Sequence, residues 1–95
     1  MARAKKTAFG YAVGKRFGEF LLKRRIALGM SQEKVAELAG VDRTYIQALE
    51  KGTSTPGLDI FIRLAHALKV NSGDVVNRIE SQVMGRERSR RRESG

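Results

Sequence analysis

The stretch GVDRTYIQALEKG, from Gly40 to Gly52, sets Arg43, Gln47 and Lys51 four residues apart, with Thr44 beside Arg43. On a helix that spacing gathers all four side chains on one polar stripe. Their chemistry suits the edges and backbone of a DNA duplex. Arginine can donate two bonds to guanine O6 and N7, glutamine can pair with adenine N6 and N7, and threonine can hydrogen-bond or pack its methyl on thymine. Lys51, further along, is better placed for phosphate. An ordinary solvated helix face would carry similar residues, so the stripe has meaning only through the elements that present it.

Those elements read as five helices and no strand. Residues 1–10 are basic and small, without periodicity, and are expected to form a flexible arm. A first helix is predicted from about Tyr11 or Gly14 to Leu28, with Phe17, Phe20, Leu21 and Leu28 on one face and Gly29 as a left-handed cap. Ser31 is expected to cap a second helix, Gln32 to Ala39, whose buried face is Val35, Leu38 and Ala39. Met30 and Val35 can form a hydrophobic staple across that start. Asp42 is expected to cap a third helix, Arg43 to Lys51, with Val41 and Ile46 repeating the staple and Ile46 and Leu49 facing inward. Pro56 and Gly57 break the following loop. A fourth helix is predicted from about Leu58 to Lys69, with Leu58, Ile62, Ala65 and Leu68 on one face and Ile60, Phe61 and Leu64 widening it. Ser72 is expected to cap a fifth helix, helped by Asp74. Val75, Val76, Ile79 and Val83 lie on its apolar face. From Gly85 the chain reads GRERSRRRESG, which has no apolar residue and cannot fold alone. The domain is therefore placed at 11–84, between the arm and a disordered basic tail at 85–95.

Helices two and three are joined by the very short turn at Gly40–Val41. Two helices so joined, across residues 31–52, form a helix-turn-helix, in which the second helix is offered to a major groove. Ala36 is small enough for close approach of the two helices, and Ile46 is an apolar wedge beneath the polar stripe. Arg43 and Thr44 lie at the end that enters the groove most deeply. Gln32, at the start of helix two, is placed to meet a phosphate at that helix's positive end.

Composition agrees. The chain has 95 residues and a net charge of +9, with a pI near 10.7, the electrostatic footprint of a nucleic-acid binder. There is no cysteine and a single histidine, His66, which leaves no thiolate or histidine cluster for a metal, and no cofactor is expected. No run approaches the about 18–20 apolar residues of a membrane span. The opening MARAKKTAFGYAVGKR has too short and glycine-broken an apolar part for a signal peptide, and is read as the mature start of a cytoplasmic protein. GYAVGK has the wrong spacing for a phosphate loop. No nucleophile stands with a base, so enzymatic activity is not expected.

The segment MSQEKVAELAGVDRTYIQALEKGTSTPGLDIFIRLAHALKV resembles the lambda-repressor-like, or XRE, family of regulators, through Gln32, Ala36, Gly40, Ile46, Glu50 and Gly52, the Pro56 loop and the LAHAL helix. The resemblance covers about residues 16–77, and DRTYI is also similar to regulators found beside restriction–modification genes. It implies a transcriptional regulator on an all-α, lambda-repressor-like fold, with Gln32, Arg43, Thr44 and Gln47 contacting double-stranded DNA. Tyr45 either packs or touches a phosphate.

Glu50 opposes the dipole at its helix end and would repel phosphate. An internal ion pair with an arginine of helix one resolves both difficulties. Arg25 is the first candidate and Arg24 the other, and the resemblance points the same way. One helix-turn-helix reads only a few base pairs, so a homodimer is expected, with Val76, Ile79 and Val83 as its pairing surface. The alternative for these three is closure of the monomer core. Arg3, Lys5 and Lys6 in the arm, and Arg86, Arg88 and Arg90–Arg92 in the tail, could add non-specific affinity. Two other function classes stay open at this stage. One is an antitoxin-type module whose main partner is a protein, and the other is a generic nucleic-acid binder.

Overall fold

A computed structural model describes the backbone of residues 7–94 and the side chains of residues 7–85. Helix α1 spans Ala8–Ala27, α2 Gln32–Ala39, α3 Arg43–Lys51, α4 Leu58–Ala67 and α5 Ser72–Ser94, and no strand occurs among the described residues. Helix α1 packs on α3 and α5, α2 packs on α3 and α4, and α4 packs on α5. Their apolar faces meet in one core, built from Phe17, Leu21, Val35, Ile46, Leu49, Leu64, Leu68 and Val75 among others. Phe17 meets Phe61 edge-on, with ring centroids 5.6 Å apart.

The punctuation explains the two shortest helices, α2 and α3. The Ser31 hydroxyl accepts from the Lys34 amide at 3.0 Å. Gly40 (φ 71°) and Gly52 (φ 77°) close α2 and α3 in the left-handed region, which costs glycine nothing and other residues about 1–2 kcal/mol. Met30 and Val41, the two staple residues, lie partly buried against the core, while Val35 and Ile46 are fully buried.

Several expectations are corrected. Helix α1 starts at Ala8, inside the segment read as an arm. Thr7 caps it, its hydroxyl accepting from the Gly10 amide at 3.1 Å. Arg3, Lys5 and Lys6 lie outside the described residues. Asp42 occupies the N-cap of α3 but makes no side-chain cap bond. Its backbone carbonyl takes the Tyr45 and Ile46 amides instead. Asn71 rather than Ser72 caps α5, its Oδ1 accepting from the Asp74 amide at 3.1 Å. Helix α4 stops at Ala67, because Lys69 turns to φ 57°. Leu38, Leu58 and Ile62 face outward, with Leu58 73% exposed. The inward face of α4 is Phe61, Leu64, Ala65 and Leu68. Helix α5 continues past Gly85 to Ser94, where a disordered tail is expected from sequence. The run of arginine and glutamate after Gly85 consists largely of good helix formers and contains no proline to stop it. The side chains of Arg86, Arg88 and Arg90–Arg92 lie outside the described residues.

Candidate nucleic-acid interface

Helix α3 has nine residues, too few to hold a helix unaided in water. The body of the protein fixes it. Ile46 and Leu49 are 0% exposed and anchor its inner face. Helix α1 crosses its last turn at Gly18, where an added Cβ would lie 2.9 Å from the Glu50 carbonyl oxygen and closer still to that of Leu49. Only glycine permits that approach. Gly14 comes similarly close to the loop, with a Cβ position 2.9 Å from the Thr55 hydroxyl. Sequence reasoning missed this contact. Its signal was the repetition of Gly10, Gly14 and Gly18 at every fourth residue of one helix.

A polar network secures the same end of α3. Arg25 donates from Nε to Glu50 Oε2 at 2.6 Å and from Nη2 to Glu50 Oε1 at 3.0 Å, a two-pronged ion pair. The Glu50 and Arg25 side chains are 7% and 14% exposed. Nη1 of the same guanidinium donates to the Met30 carbonyl at 3.0 Å, which ties in the turn before α2. Gln32 Nε2 donates to Glu50 Oε1 at 3.0 Å. The Glu50 carboxylate thus joins α1, α2 and α3. The Glu50 hydrogen bond raises the Arg25 pKa above its ordinary value, against the opposing pull of burial. Arg24, the other candidate, points elsewhere and donates to the Leu68 and Lys69 carbonyls at the end of α4.

The outer edge of α3 carries Arg43, Thr44 and Lys51, all exposed, and Gln47, half-buried. Arg43 Nη1 stands 3.5 Å from Glu33 Oε1 on α2, a contact with no counterpart in the sequence reading. Gln32 is the first residue of α2 and lies beside the last turn of α3, with its amide engaged by Glu50 rather than pointing free. Tyr45 is half-buried against the core. Burial, and then the Asp59 charge, push its phenol above the usual value and keep it neutral.

The three residues assigned to pairing separate. Val76 is 47% exposed, whereas Ile79 and Val83 are buried in the core. They form the floor of an open apolar groove of about 640 Å³ whose rim includes Phe9, Val13, Leu58, Val76 and Met84. Phe9 and Leu58 are themselves exposed. Among the described residues no group of acids or histidines could hold a metal ion, and no helix is long and apolar enough to cross a membrane.

The sequence model described as helix-turn-helix matches residues 21–75. The chain is 48% identical over 46 residues to an uncharacterized helix-turn-helix-type transcriptional regulator of Methanothermobacter thermautotrophicus, an overlap of 48% of this chain and 67% of that protein. It is 37% identical over 51 residues to the uncharacterized regulator YgzD of Bacillus subtilis, covering 54% of this chain and 77% of that one. Among solved structures it is similar to the restriction–modification controller protein C.AhdI of Aeromonas hydrophila, with a TM-score of 0.63, 35% identity, and coverage of 65% and 94% of the two chains. Five helices, the glycine turn between α2 and α3, and the match spanning both place the chain in the XRE-type, lambda-repressor-like family of helix-turn-helix transcriptional regulators.

Proposed function

We propose that the protein is a sequence-specific regulator that binds double-stranded DNA as a homodimer, with α3 of each subunit in the major groove of a two-fold-symmetric operator. The observation that carries the reading is the contrast across α3. Its inner face and C-terminal end are locked by Ile46, Leu49, Gly18 and the Glu50 network, while Arg43, Thr44 and Gln47 are left on its outer edge. Arg43 and Gln47 then read guanine and adenine, Thr44 contacts a neighbouring base, and Lys51 holds a phosphate. Gln32 keeps one amide hydrogen beyond its bond to Glu50, and that hydrogen can meet a phosphate at the start of α2. Tyr45 is assigned a packing role. Val76, together with Phe9 and Leu58 on the same groove, supplies the pairing surface, and Ile79 and Val83 support it from beneath.

The test is selection of bound sequences from random duplex DNA at stated salt. A symmetric motif with half-sites about 34 Å apart, or a multiple of that, is the expected result. Arg43→Ala should cost about 1–3 kcal/mol and relax preference at one position per half-site. A uniform loss over all sequences would reassign Arg43 to phosphate, and absence of any motif would refute the reading.

A further inference from the structure

Glu33 is the second residue of α2 and Arg43 the first of α3, so their pair bridges the two helices of the motif on its outer side. Both side chains are well exposed, at 74% and 54%, so the pair contributes little to the stability of the fold. It stands instead beside the edge that reads bases. An acid there suits the positive start of α2 but repels phosphate, and that repulsion is offset where it also acts on something close by. The arginine is that something.

Resting on the DNA-binding reading above, we infer that Glu33 is a positioning residue for Arg43 and raises discrimination at the base Arg43 reads. The carboxylate faces Nη1. The opposite edge of the guanidinium, Nε–H with Nη2–H, is a two-donor fork of the kind guanine O6 and N7 accept. A guanine can take that fork while the ion pair stays in place. A duplex with no guanine at that position offers phosphates instead, and Arg43 must leave Glu33 to reach them, exposing the Glu33 charge to the same backbone. Matched DNA therefore keeps both partners satisfied, and unmatched DNA does not. Selectivity is gained from a repulsive element as much as from the attractive one.

The experiment compares Glu33→Gln with Glu37→Gln, using the full chain and a selected operator, its variant at the Arg43 position, and unrelated duplex. Glu37 lies on the same helix, equally exposed, but faces Lys34 at 4.0 Å, so its substitution makes the same charge change without touching Arg43. Glu33→Gln should lower discrimination at the Arg43 position by about 2–5-fold, the range an exposed ion pair commands, with other positions unchanged. It should also tighten binding to unrelated duplex and steepen its salt dependence. Glu37→Gln should leave base preference intact. In an Arg43→Ala background, Glu33→Gln should no longer alter preference. Equal relaxation by both variants, or no relaxation by Glu33→Gln in a protein that still selects its operator, would overturn the inference alone. A wild-type protein with no base preference at all would instead remove the DNA-regulator reading, and this inference with it.

Discussion

Replacing Gly18 by alanine should destabilise the protein, although it places a better helix former inside a helix. The gain from helix propensity is about 0.5–1 kcal/mol. Against it stands the crossing of α1 over α3. The new methyl would sit 2.9 Å from the Glu50 carbonyl oxygen, 3.2 Å from its carbon, and nearer still to the Leu49 carbonyl oxygen. These are backbone atoms at the end of an anchored helix and cannot swing aside as a flexible side chain would. An unstrained contact lies at roughly 3.5 Å or more, so the helices must part by a sizeable fraction of an ångström or more. Overpacking of this kind typically costs about 1–3 kcal/mol. A net loss of about 1–2 kcal/mol is expected, or a fall in Tm of about 5–15 °C for a domain of this size. Urea unfolding followed by circular dichroism measures it, as a lower midpoint at unchanged slope. Gly10→Ala on the same helix is the control. Its methyl meets only the Thr7 hydroxyl, at an ordinary 3.5 Å, so it should be neutral or mildly stabilising. A Gly18→Ala protein as stable as the Gly10→Ala protein would mean that the helices part freely, and that close approach does not fix α3.

Glu50→Gln should lower stability by up to the about 3–5 kcal/mol of a broken buried pair, with the glutamine oxygen still accepting one bond from Arg25. DNA affinity should fall with it, and an unchanged urea midpoint would refute the structural role. Val76→Asp should leave the monomer folded, since the side chain is half exposed, and weaken self-association in sedimentation at micromolar concentration. Unaltered association would place the pairing surface elsewhere. The Tyr45 phenol is raised by burial, so its contribution to stability is complete below about pH 10, the unfolded value, and is lost as pH climbs through the higher folded value. Tyr45→Phe should flatten that alkaline loss, as read by the urea midpoint across the pH range.

The helix-turn-helix was legible because its punctuation is local. Ser31 acts through its own hydroxyl on an amide three residues on, Gly40 and Gly52 act through their own backbone, and the sequence shows all three directly. What failed to show was set by tertiary contact. In LDIFIRLAHAL eight of the eleven residues are apolar, so periodicity allows more than one inward face. The neighbours chose Phe61 and Leu64 over Leu58 and Ile62. Asn71 and Ser72 are both competent caps, and the sequence does not show that α5 begins at Ser72 with Asn71 taking the Asp74 amide. Arg24 and Arg25 are adjacent on a helix and point about 100° apart, so their two partners, the end of α4 and Glu50, become apparent only once the helices are packed. Glu33 reads in sequence as an acid suited to a helix start, and its contact with Arg43 requires the turn to be closed.

The placement of restraint along α3 bears on how it would recognise DNA. An acid at a helix C-terminus opposes the dipole, yet Glu50 stands there, and its contacts account for it. It accepts from α1 through Arg25 and from α2 through Gln32, at the end where Gly18 brings the backbone of α1 against it. Sliding or rotating α3 would disturb all of these contacts together. The N-terminal turn is held differently. Asp42 contributes no side-chain cap, Tyr45 is half-buried, and the tie across the outer face is the exposed Glu33–Arg43 pair. The C-terminal half is therefore a fixed mount, and the adjustable contacts sit on the turn that, on the proposed reading, would enter the groove. Ordering the backbone of α3 should add little to the cost of binding, because folding has already done it. On the proposed reading the remaining cost is in side chains, chiefly Arg43 and Lys51, and Glu33 lowers it for Arg43 when the base is right.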